Sequence, residues 1–285
     1  MKRPQRGARM KGREAVVLAV AVFFFGVSSG LAGPGEEGEV PANRFGTAFL
    51  SRFGRDFASV LTSPSRWDGA DVLTLAAVSG GGLLLMAFDG DIQEWTQSRR
   101  TESLDKASPV FTALGDGAFL IGLSAVMYGA GEIGHDDGVR KTALLSLESL
   151  AAASFIAWTG KFVFGRARPY TGESSGSFHP FSLKDEHWSL PSGHAVAAFS
   201  VATTIAMQAK PVLIDIIAYT LAGLVVADRV YDNTHWASDV FLGAALGYFV
   251  GREIVRLNRP KAKKTLGLGF SCSGGGRALT LSLRF

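Results

Sequence analysis

Six long apolar segments dominate this chain, near residues 70–88, 115–133, 141–163, 193–209, 211–227 and 237–254. Most are 17 to 20 residues long, longer than ordinary strands and at the lower end of what a helix needs to cross a bilayer. They are rich in Gly, Ala, Ser and Thr, small residues that let helices approach closely in a membrane and that also suit a soluble bundle. The expected fold is all-α, a bundle of about six core helices that either span a membrane or associate with one. Two segments carry acids, Glu148 and Asp215. Asp215 follows Pro211 within a first helical turn, where negative charge is welcome, and neither acid is assigned a catalytic role.

The basic balance of the chain is concentrated at its start, where Lys2, Arg3, Arg6, Arg9, Lys11 and Arg13 precede "AVVLAVAVFFFGVSSGLAG". A charged lead, an apolar run and small residues at Gly30 and Ala32 describe a secretory signal peptide over 1–32, with an uncleaved anchor helix as the rival reading. Without residues 1–32 the chain keeps 23 basic residues (29 less six) against 24 acidic (25 less Glu14), a net charge of −1. Nothing then argues for nucleic acid. A lone cysteine, Cys272, excludes an internal disulfide and a cysteine metal cluster.

Residues 33–68 read as a flexible lead followed by a helix whose Phe45, Phe49, Phe53, Phe57 and Leu61 recur every four residues. That stripe packs on the core or lies in a lipid interface. The bundle is expected over 69–256, and 257–285 as a basic linker and tail. In the tail, Leu266, Leu268, Phe270 and Cys272, a Gly-rich turn, then Leu279, Leu281, Leu283 and Phe285 alternate as a short C-terminal β-hairpin would.

Polar residues interrupt the apolar plan in three places. In "DRVYDNTHWASD", His235 and Asp239 stand one helical turn apart, so a carboxylate can orient an imidazole, and Arg229 offers a fork of donors suited to phosphate. "PSGHAVAAFS" opens a helix with Ser192 placed to cap it, Gly193 allowing close approach of a ligand to the backbone, and His194 at the same anion-friendly end. "KFVFGRARPY" sets Lys161 and Arg168 seven residues, two helical turns, apart, with Pro169 ending the helix. Together these supply two histidines, an orienting aspartate, three cations and a helix N-terminus, the parts that phosphoryl transfer without a metal requires.

"KFVFGRARP", "PSGH" and "RVYDNTHWASD", in that order and spacing, resemble the three signature motifs of the type 2 phosphatidic acid phosphatase and vanadium haloperoxidase superfamily, over roughly residues 69–256. The resemblance implies that His235 is the nucleophile that becomes phosphohistidine, that Asp239 orients it, and that His194 protonates the leaving oxygen and then activates water. It implies phosphate binding by Lys161, Arg168, Ser192, Gly193 and Arg229. It also implies no metal or cofactor, with vanadate as an inhibitor or phosphate mimic. Asp228 departs from the family, which usually has serine there, and an acid at that position can draw Arg229 into an ion pair. The loop "TGESSGSFHPFSLKDEHWSL" is expected to cover the pocket and to influence substrate choice. Its His179 and His187, like "HDD" at 135–137, are read as surface residues rather than metal ligands.

The implied activity is hydrolysis of a phosphate monoester or diphosphate of a lipid: phosphatidate, phosphatidylglycerol phosphate, an isoprenyl diphosphate or a lipid A type. Vanadate-dependent halide oxidation and a non-catalytic lipid-binding role are the alternatives. A cleaved signal with six crossings would turn the site inward, whereas "RLNRPKAKK" after the last segment favours a cytoplasmic end and an odd number of crossings. The expected location is the bacterial cell envelope, at the inner membrane, with the site facing the periplasm.

Overall fold

The computed structural model describes residues 44–259, together with the backbone of 265–273 and 276–284. The signal segment and residues 33–43 of the lead therefore lie outside the described residues. Eight α-helices follow one another: α1 (Thr47–Leu61), α2 (Gly69–Gln97), α3 (Glu102–Leu114), α4 (Gly117–Ile133), α5 (Asp137–Phe164), α6 (Gly193–Gln208), α7 (Val212–Tyr231) and α8 (Ala237–Leu257). Each of the six apolar segments falls within one helix. The sequence reading missed α3, whose start is polar and capped by the Thr101 hydroxyl accepting from Leu104 N–H.

Residues up to Val255 form one compact unit and Arg256–Phe285 a second. The architecture is all-α, and the expected C-terminal hairpin is not supported as an element of it. Thr265–Ser273 and Gly276–Arg284 lie in antiparallel register, but a ribbon of two strands is marginal in water.

By length and composition, α2 and α5 are apolar enough to cross a membrane, and α3 with α4, bent by 59°, makes a third span if counted as one. Among the described residues this is fewer than the six apolar segments, because α6 has only 16 residues, α7 carries Asp215, Asp228 and Arg229, and α8 carries Asp239, Arg252, Glu253 and Arg256. Most of the apolar side chains of α2, among them Leu73, Leu83, Leu84 and Trp95, face outward. That is the pattern of a helix solvated by lipid rather than by protein.

The bundle is built around α6, whose residues 195–198 and 200–206 are all buried. Its contact with α8 depends on a run of glycines. A Cβ at Gly243, Gly247 or Gly251 would lie 2.8 Å from Ser192 O, 2.4 Å from Val196 O or 2.7 Å from Ser200 O respectively. Glycine every fourth residue thus lets the two backbones touch. On the far side, α1 is tied to α5 by Arg52, whose Nη2 donates to buried Glu148 at 2.9 Å. The phenylalanine stripe runs along α1 to Phe57, whose ring meets Phe155 of α5 at 5.3 Å. Glu148 thus joins α1 to α5.

Candidate active site

Four ends of the bundle converge on one place: the C-terminus of α5 with its following loop, the N-termini of α6 and α8, and the end of α7. Helix α5 stops at Phe164 because Gly165 turns left-handed (φ 59°). A Cβ there would also lie 1.7 Å from His179 O. Arg168 therefore stands beyond the helix in extended backbone, not two helical turns above Lys161 as the spacing implied. Beyond that point Arg166 and Arg168 find different partners. Arg168 turns toward the loop and donates to Asp185 Oδ1 at 3.0 Å.

Arg166, which the sequence reading passed over, is wholly buried. Its Nη1 donates to Asp239 Oδ1 at 2.6 Å and to Ser238 Oγ at 2.7 Å. Its Nη2 donates to Asp89 Oδ2 at 2.8 Å and to Ser175 O at 2.6 Å. Asp89, from the middle of α2, also accepts from Ser238 N at 2.9 Å, so one helix supplies the N-terminal cap of another. Removing one member of such a buried ionic group leaves an uncompensated charge, at a cost of about 3–5 kcal/mol.

Helix α8 starts at Ala237, so His235 precedes it and does not share a helical face with Asp239. The carboxylate instead reaches back to accept from Trp236 N at 3.0 Å, as a capping residue does. His235 Nδ1 lies 3.9 Å from Asp239 Oδ2, too far for a direct hydrogen bond. Between them sits the buried Ser189 hydroxyl, which donates to Asp239 Oδ2 at 2.5 Å and stands 3.5 Å from His235 Nδ1. Since its proton goes to the carboxylate, the Ser189 oxygen can only accept from the ring. That tautomer leaves the Nε2 lone pair free. Burial first, and then Lys161 and Arg168 against the opposing pull of Asp239, push the His235 pKa down to about 3.

Ser192 occupies the N-cap position of α6, but its hydroxyl makes no capping bond. Its oxygen is buried without a partner, while its N–H donates to Asp239 O at 3.1 Å. Beside it, the nearest atom to a Cβ built on Gly193 is Lys161 Cε at 3.6 Å. Packing does not demand glycine there. Lys161 Nζ donates to Trp188 O at 2.6 Å.

Arg229 ends α7 and is buried, its carbonyl accepting from His235 N at 3.2 Å. Its Nη2 is held by Asp228 and by Thr112, the diversion that the acid at 228 foreshadowed, yet its Nε is buried with no partner. His194 packs against the α3–α4 bend, where a Cβ on Gly115 would meet its Cβ at 3.1 Å. Its pKa is lowered to about 4, first by burial and then by Arg229, with Asp116 opposing. All eight residues named from the sequence thus border one region, Arg168 from its rim. Asp89, Arg166 and Ser189 are the additions.

The loop between α5 and α6 also brings together Glu173, His179 and His187. His179 is exposed as expected, but His187 is buried.

An all-α bundle that gathers cations and unpaired buried donors around two neutral histidines defines a phosphate-ester site. A sequence profile of the PAP2 superfamily matches residues 142–263. A lipid A 1-phosphatase of Rhizobium etli is 30% identical over 205 residues, 65% of this chain and 82% of that protein. One from Porphyromonas gingivalis is 32% identical over 127 residues, 44% of this chain and 26% of that protein. The crystal structure of a transmembrane PAP2 type phosphatidylglycerolphosphate phosphatase from Bacillus subtilis has the same fold, with TM-score 0.51 at 24% identity over 64% of this chain and 94% of that one. The chain belongs to the PAP2 superfamily, as its motifs implied. It is a hydrolase of phosphoric esters, with helices among the described residues long and apolar enough to cross a membrane.

Proposed function

We propose that the protein is a lipid phosphatase that removes a phosphate monoester through a phosphohistidine at His235, with a lipid A 1-phosphate as the leading substrate. The observation that carries the reading is the pair of buried, unpartnered polar atoms, Ser192 Oγ and Arg229 Nε. Buried polar groups are almost always satisfied, and a phosphate oxyanion would satisfy both. Each belongs to a residue bonded through its backbone to the 235–239 segment. The Lys161 ammonium, the uncapped N-terminus of α6 and the open space over Gly193 complete the cradle, and Arg168 adds charge from the rim.

In the first step His235 Nε2 attacks phosphorus, a P–N bond forms, and the bond to the leaving lipid oxygen breaks as that oxygen takes a proton from His194. In the second, His194 draws a proton from water, the water oxygen bonds to phosphorus, and the P–N bond breaks to release phosphate. In the free protein His194 is neutral at pH 7, the state the second step needs. The first step needs the imidazolium, and a bound phosphate dianion favours it, because opposite charge raises a histidine pKa. Lipid A is preferred over phosphatidate, phosphatidylglycerol phosphate and isoprenyl diphosphate because the Rhizobium etli relative is matched over most of its length. The basic run "RLNRPKAKK" after the last apolar segment favours a cytoplasmic end there, which supports a site that faces the periplasm from the inner membrane.

Phosphate release from a panel of these lipids, in excess chelator, compares the wild type with His235→Ala. Activity on lipid A that survives chelation and disappears in the variant is expected. Release that persists in His235→Ala would refute the covalent mechanism, and preference for another lipid would reassign the substrate.

A further inference from the structure

We propose that Glu173, His179 and His187 form a binding site for a first-row divalent cation of the zinc class, which staples the loop between α5 and α6. Their donor atoms all lie within 4.8 Å of one another. Glu173 Oε2 is 2.8 Å from His179 Nε2, and Glu173 Oε1 is 3.8 Å from His187 Nε2. Ligands about 2.0–2.1 Å from a tetrahedral zinc stand roughly 3.3–3.4 Å apart, between those two separations. Two imidazoles and a carboxylate are a zinc-like donor set, ill suited to Mg²⁺ or Ca²⁺. Three protein ligands leave the fourth position to water.

The site is oriented from behind. His187 Nδ1 is 2.8 Å from Ser182 Oγ, the arrangement that fixes a ligating histidine's tautomer and turns its other nitrogen to the ion. The His179 and His187 rings are stacked at 3.9 Å, 15° from parallel. Two imidazolium ions would repel at that distance, whereas two neutral rings each present a lone pair. An exposed His–Glu ion pair contributes little and does not account for the buried third member. Glu186 Oε1 is also 3.8 Å from His187 Nε2, but it is paired with Lys184 at 3.3 Å.

The cation has no part in the phosphoryl chemistry. Its effect is on a loop that holds much of the site in place: Asp185 binds Arg168, Trp188 O receives Lys161, and Ser189 links Asp239 to His235. Joining Glu173 to His187 closes the segment that contains Ser175 and Asp185.

The test uses the full chain in detergent, free of affinity tags, stripped with chelator and then titrated with Zn²⁺ or Mg²⁺ against a chromophoric indicator. One Zn²⁺ per chain is expected, with melting raised by about 5–10 °C at a hundredfold excess over Kd, and no response to Mg²⁺. His179→Ala and Glu173→Gln should each weaken Zn²⁺ by at least about 100-fold. His179 is exposed, so the metal-free melting of His179→Ala should match the wild type. His235→Ala should bind Zn²⁺ normally, which separates this site from the catalytic histidines. Failure to bind a stoichiometric ion would overturn the proposal, as would binding that survives both loop variants or is lost in His235→Ala. Because the readouts are metal binding and melting, the result is independent of the substrate and of the phosphohistidine.

Discussion

Replacing Asp239 by asparagine removes the charge behind His235 while keeping the side chain's size. The carboxylate stands 3.9 Å from His235 Nδ1, with the Ser189 hydroxyl between them. As phosphorus bonds to Nε2 the ring becomes cationic, and a unit charge pair near 4 Å is worth about 4 kcal/mol at an effective dielectric of about 20. If half that charge has developed in the transition state, the loss is about 2 kcal/mol, or roughly 30-fold in rate; full development gives roughly 1,000-fold. The expected fall in kcat lies between those limits, with KM little changed, because Asp239 is engaged by Arg166, Ser189 and Trp236. Steady-state phosphate release gives both constants, and acid quenching of labelled phosphoenzyme shows whether formation of the P–N bond is the step that slows. Thermal unfolding of the same preparation reports whether the variant is folded. A folded Asp239→Asn enzyme with kcat within about threefold of wild type would refute the electrostatic role. So would a variant whose KM alone rises.

Asp228→Ser should release Arg229 from its closest ion pair and tighten inhibition by phosphate or vanadate about tenfold, given the strength of charge-assisted Arg–phosphate bonds; unchanged inhibition would mean that Thr112 and Asp232 hold the guanidinium without it. Acid should destabilise the fold, because the native pKa values of His194 and His235, about 4 and about 3, lie below the ordinary 6.5. The unfolded chain then binds more protons below pH 6.5, and stability falls by about 1.4 kcal/mol per pH unit per histidine until each native pKa is reached. Melting followed from pH 7 to pH 5 should show that slope, reduced in His235→Asn; a flat profile would contradict the burial. Gly247→Ala should cost about 1–3 kcal/mol of stability, since its methyl would meet Val196 O at 2.4 Å. Gly223→Ala, with nothing within 4 Å, should be neutral or stabilising by the same melt.

The helical architecture and most of the site were legible in the sequence because each depends on local pattern. Apolar runs placed seven of the eight helices, counting α1 with its phenylalanine stripe. The motifs supplied Lys161, Ser192, His194, Arg229 and His235 together. What stayed hidden depends on tertiary pairing. Ser189 acts through Asp239, fifty residues away. Asp89 lies one residue past the apolar run that drew attention, although an acid within a 29-residue helix was itself a signal. Arg166 drew no reading of its own beside Lys161 and Arg168. Once Gly165 stops the helix at Phe164, the helical spacing that would relate Lys161 to the arginines beyond it is lost. The spacing assumed for His235 and Asp239 fails for a separate reason, because α8 starts only at Ala237.

The glycine seam between α6 and α8 sets a limit on how such an enzyme can diversify. The N-termini of these two helices carry Ser192, His194 and Asp239, and at the three glycines main-chain atoms meet, with the Cβ atoms of Ala195, Phe199 and Thr203 beside them. None of the three glycines can be enlarged to retune the distance from phosphate cradle to nucleophile. Apart from Ser189, which is fixed against Asp239, and Asp185, which binds Arg168, the loop at 171–190 has side chains that can be exchanged without moving that seam. Specificity can therefore drift in the loop while the reaction geometry stays at one spacing, fixed by main-chain atoms that mutation cannot replace.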